Sequence, residues 1–491
     1  MRRIPVRSRP LLAATVAFCF SACGGKAGFG TPSTLPAAVY QGGSAVRELG
    51  HAKSKIQHVV IIIQENRSFN NLFYGYPGAK TANYGYGLKD EKKIKIDLQP
   101  IPLETTWDLE HNPNGFVAAC HGNGETPGTD CRMDGFNHET WNCNTPGHPK
   151  CPIEYPPYAF VPHKETKPYF EMARQYVLAD EMYASNFDST SFMAHQFIIA
   201  GVNPDRSIGK PAFAWGCPGG AGDQISILGL HRAWPKGSVR PCWDPTTLGD
   251  ELDEAGLSWS FYATPIGGNT KAPCGHKGID ADGSGSSDGR GIWSAYQTIA
   301  HICYSPSKWN LHILTPPNRF LNVMGRGGRL DDVTWITPTF ANSDHGGSGS
   351  ATGPSWVTSV VNAIGRSKYW SSTAIFIFWD DYGGWYDPEP PKYLDDAGLG
   401  FRLPMLIISP YAKEGYVSHV HYEHGTILKF VENTFGLARM NLPHGSDVRA
   451  NPPDDAFDFS QAPRKFVPIH APLDENYFKL EPLDLRPPDS D

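Results

Sequence analysis

Residues 57–78 read Gln57-His-Val-Val-Ile-Ile-Ile-Gln-Glu65-Asn66-Arg67-Ser68-Phe69-Asn70-Asn71-Leu-Phe-Tyr-Gly-Tyr-Pro-Gly78. The run at 59–63 is unbroken and β-branched, the pattern of a strand covered on both faces in a parallel sheet. A carboxylate, an amide and a guanidinium follow at once. A buried strand that ends in Glu65-Asn66-Arg67 carries oxygens and a cation to the carboxyl edge of the sheet, where open α/β sheets bind ligands. The alternative is a polar turn that only caps the strand.

A second stretch has the same form: Thr373-Ala-Ile-Phe-Ile-Phe-Trp379-Asp380-Asp381-Tyr382-Gly383-Gly384-Trp385-Tyr386-Asp387-Pro388. Here the apolar run stops at two adjacent carboxylates, which repel unless a cation or a proton lies between them. Neighbouring side chains on a strand face opposite ways, so both reach one ion only if the chain turns there. Gly383-Gly384 permits that turn.

Between the two lies Asn186-Phe-Asp188-Ser189-Thr190-Ser191-Phe-Met-Ala-His195-Gln-Phe-Ile-Ile-Ala-Gly201. Hydroxyls followed by an apolar helical run put Ser and Thr at a helix N-terminus, where backbone N–H groups and the dipole favour phosphate. The same residues are what a simple N-cap wants. Regular pattern also predicts helices over 168–175, 247–256, 355–364 and 426–437. Strands are predicted over 176–180, 257–262, 333–337 and 403–411.

These stretches resemble the phosphoesterase family of bacterial phospholipases C and acid phosphatases. There a strand runs into Glu-Asn-(Arg/His)-Ser-Phe-Asp, with Asn70 here in place of the last Asp. A later strand runs into Asp-(Asp/Glu)-x-Gly-Gly-x-(Tyr/Phe)-Asp, matched by 380–387. Trp107-Asp108-Leu109-Glu110-His111, Met133-Asp134-Gly135-Phe136, the pair Asp344-His345 and Phe457-Asp-Phe-Ser-Gln-Ala-Pro-Arg464 match further segments in order. The family's Gly-Pro-(Thr/Ser)-x-Pro-Asn is incomplete here. Counting back from Ala200-Gly201 sets Ser191 on its nucleophile, with Thr190 as rival.

The resemblance implies an α/β protein: an alkaline-phosphatase-like α/β/α sandwich with a large, mostly parallel central sheet and long loop insertions. It implies one divalent metal ion held by Glu65, Asn66, Ser191, Asp380 and Asp381. A serine hydroxyl beside such an ion loses its proton readily, attacks phosphorus and leaves a phosphoserine for water to hydrolyse. Asn66 would hold a phosphoryl oxygen, Arg67 would assist electrostatically, and His111 and His345 would protonate the leaving alkoxide. An all-oxygen ligand set favours a hard cation. The serine and the Asp-Asp pair point to the acid-phosphatase branch, with phospholipase C next. A sulfatase-like hydrolase is disfavoured because Cys/Ser-x-Pro-x-Arg is missing near Ser191. An inactive surface binding protein is disfavoured by the intact acidic residues.

Other features are weaker. His419, His421, Glu423 and His424 have spacings that suit a transition metal, or merely a packed and capped helix. Gly285-Ser-Ser-Asp-Gly289 fits a hydrolase elbow but lacks the strand before it and the helix after it. Asp280-Ala-Asp282-Gly opens like a calcium loop, but Gly291 stands where that loop requires Glu.

The N-terminus has the layout of an export signal. Arg2, Arg3, Arg7 and Arg9 precede an apolar run at 11–20, then Ser21-Ala22-Cys23. Cys23 is either lipidated, which would anchor the protein to a membrane, or close to a plain cleavage site. Setting aside Cys19 and Cys23 leaves eight of the ten cysteines, an even number without Cys-x-x-Cys spacing. Four disulfides in an oxidising compartment follow, with connectivity open. The expected location is periplasmic, secreted or lipid-anchored at the bacterial envelope.

The expected organisation is a signal over 1–23, a tether over 24–50, and a phosphoesterase domain over 51–464 with insertions near 79–165 and 202–310. A Pro-rich tail covers 465–491. At 491 residues, with 51 Gly and 43 Pro, the chain suits many loops on a scaffold rather than a helical bundle. A net charge of −7 without a basic run argues against nucleic acid. The expected partner is a phosphate ester, either a small molecule or a phospholipid head group.

Overall fold

The β-branched run becomes β1 (His58–Gln64), buried at every position after His58. In chain order the other sheet strands are β2 (Val177–Tyr183), β3 (Trp259–Tyr262), β4 (Ile313–Leu314), β5 (Val333–Ile336), β6 (Thr373–Trp379), β7 (Arg402–Ile408), β8 (Tyr416–Ser418) and β9 (Tyr422–Glu423). Their order across the sheet is β4-β3-β5-β1-β6-β7-β2-β8, with β9 also pairing with β2. Among the described residues only β7 runs against its neighbours β6 and β2. The computed structural model describes residues 54–211, 216–218, 222–265, 274, 292–438, 440, 442, 444–484 and 486, all within one compact unit, Gly42–Asp491. The signal, Cys23, the tether and the loop at 280–291 lie outside the described residues.

Helices cover both faces of the sheet. The relevant ones are α1 (Pro113–Cys120), α2 (His163–Gln175), α3 (Ser191–Ala200), α4 (Gly353–Gly365) and α5 (His424–Phe435). Phe376 and Phe378 on β6 lean on α5, with ring centroids 4.9 Å from Phe430 and 5.6 Å from His424. The next residue, Trp379, faces the other way, 5.0 Å from Tyr169 on α2. Alternation along one strand therefore meets helices on opposite sides, an α/β/α arrangement.

Register positions the site. Ile63 pairs with Phe378 and Gln64 with Trp379 across β1 and β6, and the Asp380 N–H donates to the Gln64 carbonyl at 3.0 Å. The two strands leave the sheet at the same level, so Glu65 and Asp380 emerge side by side. Burying the 59–63 side chains contributes about 1.5–3 kcal/mol each, which makes a slip of this register costly.

Three local features differ from the sequence reading or add to it. Helix α2 starts at His163, ahead of the expected 168, with Pro168 inside it. Packing of Thr166, Tyr169, Phe170, Met172 and Ala173 on the core outweighs the missing backbone bond. The strand expected over 403–411 is antiparallel, and its Pro404 sits at a register shift between Leu403 and Met405, where a ladder tolerates proline. Finally, the Pro-rich stretch after 464 includes a helix at Glu475–Leu480 that buries Phe478 against Trp356 of α4.

The eight cysteines form Cys120–Cys131, Cys143–Cys151, Cys217–Cys242 and Cys274–Cys303. The first two staple the excursion at 79–165, which also holds α1 and a hairpin of Tyr84–Lys89 with Lys92–Asp97. No described helix is long and apolar enough to cross a membrane.

Candidate active site

Past the sheet edge, two tight turns bring the acids together. Asn66 is left-handed, with φ of 57°, and its N–H donates to Asp380 Oδ1 at 3.1 Å. Gly383 has φ of 61°, and a Cβ there would stand 2.1 Å from the Asn66 carbonyl oxygen. Only glycine allows that approach. The Gly383 N–H then donates to Asp381 Oδ1 at 2.7 Å, which fixes the second carboxylate.

Helix α3 supplies the other wall. All ten of its residues are buried, and most are apolar. Ser191 opens it, with Oγ donating to Asp381 Oδ2 at 3.1 Å and lying 3.4 Å from Asn66 Oδ1. Thr190 turns elsewhere: its hydroxyl donates to Asp188 Oδ2 at 3.0 Å and to the Gly209 carbonyl at 3.2 Å. One turn after Ser191, His195 Nε2 lies 3.1 Å from Glu65 Oε1 and 3.9 Å from Asp380 Oδ2. His195 was not among the sequence candidates. Its signal was the i, i+4 spacing from Ser191, which puts both on one helix face.

The donor set suits a cation. In one of the two orientations of its amide, Asn66 puts Oδ1 3.1 Å from Glu65 Oε2 and from Asp380 Oδ1, so that three acceptors converge. That orientation makes sense around a positive ion; turned over, the amide would instead donate to both carboxylates. Asp380 Oδ2 is buried without a hydrogen-bond partner among the described residues. A buried carboxylate oxygen left so is costly unless an ion or proton meets it. Glu65, His195 and Asp380 offer ligand atoms within 4.8 Å of one another, the one such group among the described residues.

Two histidines close the opposite side. His111 Nδ1 lies 2.8 Å from the Leu109 carbonyl, which makes Nδ1 the protonated nitrogen. Its Nε2 lies 2.6 Å from the Asn66 amide. His345 Nδ1 meets the Gly346 carbonyl and lies 3.7 Å from Asp108 Oδ2, while its Nε2 is 3.1 Å from the same amide. The rings are 5.8 Å apart, both buried, and both present Nε2 to Asn66.

Arg67, expected as an electrostatic helper, is held by partners within the protein. Its Nε donates to the Asp344 carbonyl at 2.7 Å, Nη1 to Asn71 Oδ1 at 3.3 Å and Nη2 to the Leu103 carbonyl at 3.0 Å. The guanidinium lies 4.7 Å from the Trp385 ring. Burial pushes its pKa down to about 10 against the pull of the Asp344 and Asp108 carboxylates. The left-handed turn at Asn66 sends this side chain under the loops.

The histidines at 419–424 do not share a site. His419 pairs with Asp180 at 2.8 Å, His421 stacks on Tyr183 at 4.6 Å, and His424 is buried against Phe378. Burial holds the His421 and His424 pKa values down to about 4 and about 3. Glu423 caps α5 and pairs with Arg449 at 2.8 Å.

The chain is 24% identical over 444 residues to the hemolytic phospholipase C of Pseudomonas aeruginosa, which covers 83% of this chain and 56% of that protein. It therefore spans little more than half the length of that relative. Phospholipase C B of Mycobacterium tuberculosis is 23% identical over 473 residues, covering 85% and 80% of the two chains. A solved protein of the alkaline phosphatase superfamily from Vibrio parahaemolyticus overlaps 81% of this chain and 72% of its own at 11% identity, with a TM-score of 0.35. The profile of the phosphoesterase family matches residues 56–438, from just before β1 to just past α5, and the chain belongs to that family.

Proposed function

We propose that the protein is a metal-dependent phosphoesterase that uses Ser191 as its nucleophile. The observation that supports this best is Ser191 Oγ at the start of a buried helix, 3.1 Å from Asp381 and facing the acids of two strand ends. A divalent cation held by Glu65, Asp380, Asn66 and Asp381 would supply positive charge to the serine oxygen and to the phosphoryl oxygens.

The chain's own groups supply the rest. Asp381 Oδ2 is placed to accept the Ser191 proton as Oγ bonds to phosphorus. The bond to the leaving alcohol breaks, and His111 or His345, entering the step as the imidazolium with both ring nitrogens protonated, delivers the Nε2 proton to the departing oxygen. The Asn66 side chain and the N–H groups opening α3 hold the phosphoryl oxygens. Water then cleaves the phosphoserine: the same histidine takes the water's proton, and Asp381 returns its proton to Ser191 Oγ as the phosphorus–oxygen bond breaks.

Two substrate readings remain within this chemistry. The serine and the Asp-Asp pair fit an acid phosphatase, while the named relatives favour a phospholipase C acting on phospholipid head groups. The four disulfides favour an exported protein, and a lipidated Cys23 is proposed as its anchor. The test is a panel of p-nitrophenyl phosphate, its bis ester, phosphatidylcholine and p-nitrophenyl sulfate on metal-replete protein. Turnover of one or more phosphate esters, with a phosphorylated Ser191 peptide after acid quench, is expected. No turnover of any phosphate ester would overturn the reading.

A further inference from the structure

We infer that His195 is a nitrogen ligand of the metal site, so that the site selects a first-row transition dication over magnesium or calcium. The inference rests on the phosphoesterase reading for the presence of an ion, and it reverses the hard-cation preference of an all-oxygen set.

Helix α3 is a poor place for an imidazole with no task. Its residues are wholly buried, its core face is Phe, Met and Ile, and His195 is itself 0% exposed. A buried polar ring needs polar partners. Nε2 points at Glu65 Oε1, 3.1 Å away, and at Asp380 Oδ2, 3.9 Å away. That second oxygen has no hydrogen-bond partner among the described residues.

The spacing suits ligands of a common ion as well as it suits a hydrogen-bonded pair. Two donors each about 2.1 Å from an ion stand about 3.0 Å apart at a right angle and about 3.4 Å apart at the tetrahedral angle. The Nε2–Oε1 distance falls in that range, and the Nε2–Oδ2 distance exceeds it by only about half an ångström. In the amide orientation that turns it to the acids, Asn66 Oδ1, 3.1 Å from the second oxygen of Glu65 and the first of Asp380, sits at the same convergence. An imidazole among carboxylates suits zinc, manganese, cobalt and iron, whereas magnesium and calcium take oxygen. The nitrogen therefore sets the class of ion.

The alternative is that His195 only donates a hydrogen bond to Glu65 and orients it. Magnetic resonance separates the two. The full-length protein, stripped with chelator and loaded with Mn²⁺, should show ¹⁴N coupling from a directly bound imidazole. His195→Gln should abolish that coupling, and His111→Asn should keep it. In competition, Zn²⁺ or Co²⁺ should displace Mg²⁺ and Ca²⁺ from the wild type. His195→Gln should lose more than about 100-fold in Zn²⁺ affinity.

Absence of ¹⁴N coupling in loaded wild type overturns the inference without any variant, so a misfolded His195→Gln does not decide the matter. Coupling that persists in a folded His195→Gln overturns it too, as does a wild type that binds no dication or prefers Mg²⁺ or Ca²⁺. Coupling present in a protein that turns over no phosphate ester would overturn the functional reading and leave His195 as a ligand. Turnover without coupling would do the reverse.

Discussion

One helical turn separates Ser191 from His195, and their side chains meet two different parts of one acidic edge. Ser191 Oγ lies 3.1 Å from Asp381, while His195 Nε2 lies 3.1 Å from Glu65. A single buried helix thus spans the ends of β1 and β6. Its position depends on the in-register pairing of those strands, so the geometry of Ser191 and sheet register are one structural fact.

The first prediction concerns which hydroxyl reacts. Ser191→Ala should lower kcat by several orders of magnitude, on the order of the ~10⁶ seen when an enzyme loses its nucleophilic serine. Thr190→Val removes hydrogen bonds to Asp188 and Gly209, so it should cost about 1–2 kcal/mol of stability and leave kcat within the same order. If Ser191 were only a helix cap, its replacement would cost about 1 kcal/mol and spare turnover. Turnover and urea midpoints measured on both variants decide between these outcomes.

The second concerns the ion. Asp380→Asn leaves the Glu65 and Asp381 charges and removes one converging oxygen, so it should lose bound metal and turnover together. Asp381→Asn should also lose turnover, since Oδ2 is the acceptor for Ser191. Exhaustive chelation of the wild type should abolish activity, and added dication should restore it. Full activity in metal-free protein, checked by elemental analysis, would sink the site.

Much of this site was readable because its signals are local. A β-branched run that stops at an acid announces both a buried strand and what it delivers, as at Ile63-Gln64-Glu65 and Phe378-Trp379-Asp380. His195 was not readable in that way. A histidine in an apolar helix gains meaning only from the register that sets Glu65 beside Asp380, and register is a long-range property. The surroundings of Arg67 were hidden for a related reason. Its neighbours in sequence are site residues, but the left-handed Asn66 between Glu65 and Arg67 turns the guanidinium away. The direction of β7 was hidden too, since an apolar run carries no arrow.

The third prediction tests that redirection. Arg67→Leu leaves the Asp344 and Leu103 carbonyls and Asn71 Oδ1 without their donor, in a buried setting. A loss of about 3–5 kcal/mol is expected by urea unfolding. Arg67→Lys should rescue little of it, because one ammonium cannot span three acceptors held by a planar fork. If either variant kept wild-type stability while KM for a phosphate ester rose sharply, Arg67 would be a substrate contact after all.

The last prediction is a pH dependence of stability centred on Asp344. Burial pushes this carboxyl up from an ordinary 3.8 to about 6, opposed by the Tyr169 hydroxyl at 2.6 Å, the Arg67 charge and the Trp379 indole N–H at 3.2 Å. In the unfolded chain the group titrates near 4, so between pH 4 and 6 the folded state holds more of its proton. Stability therefore falls as pH rises through that window. The contribution is fully present below pH 4 and is lost above about 6, a change of about 3 kcal/mol for about two pH units. Asp344→Asn cannot titrate in either state. Any fixed cost of its amide facing the Tyr169 and Trp379 donors is the same at every pH and cancels when slopes are compared. Unfolding free energies from urea titrations at pH 4.5 and pH 7 should therefore show the wild type losing ground relative to Asp344→Asn. A difference that stays flat, or that moves the other way, would mean the carboxyl is ionised across the whole range and held by Arg67.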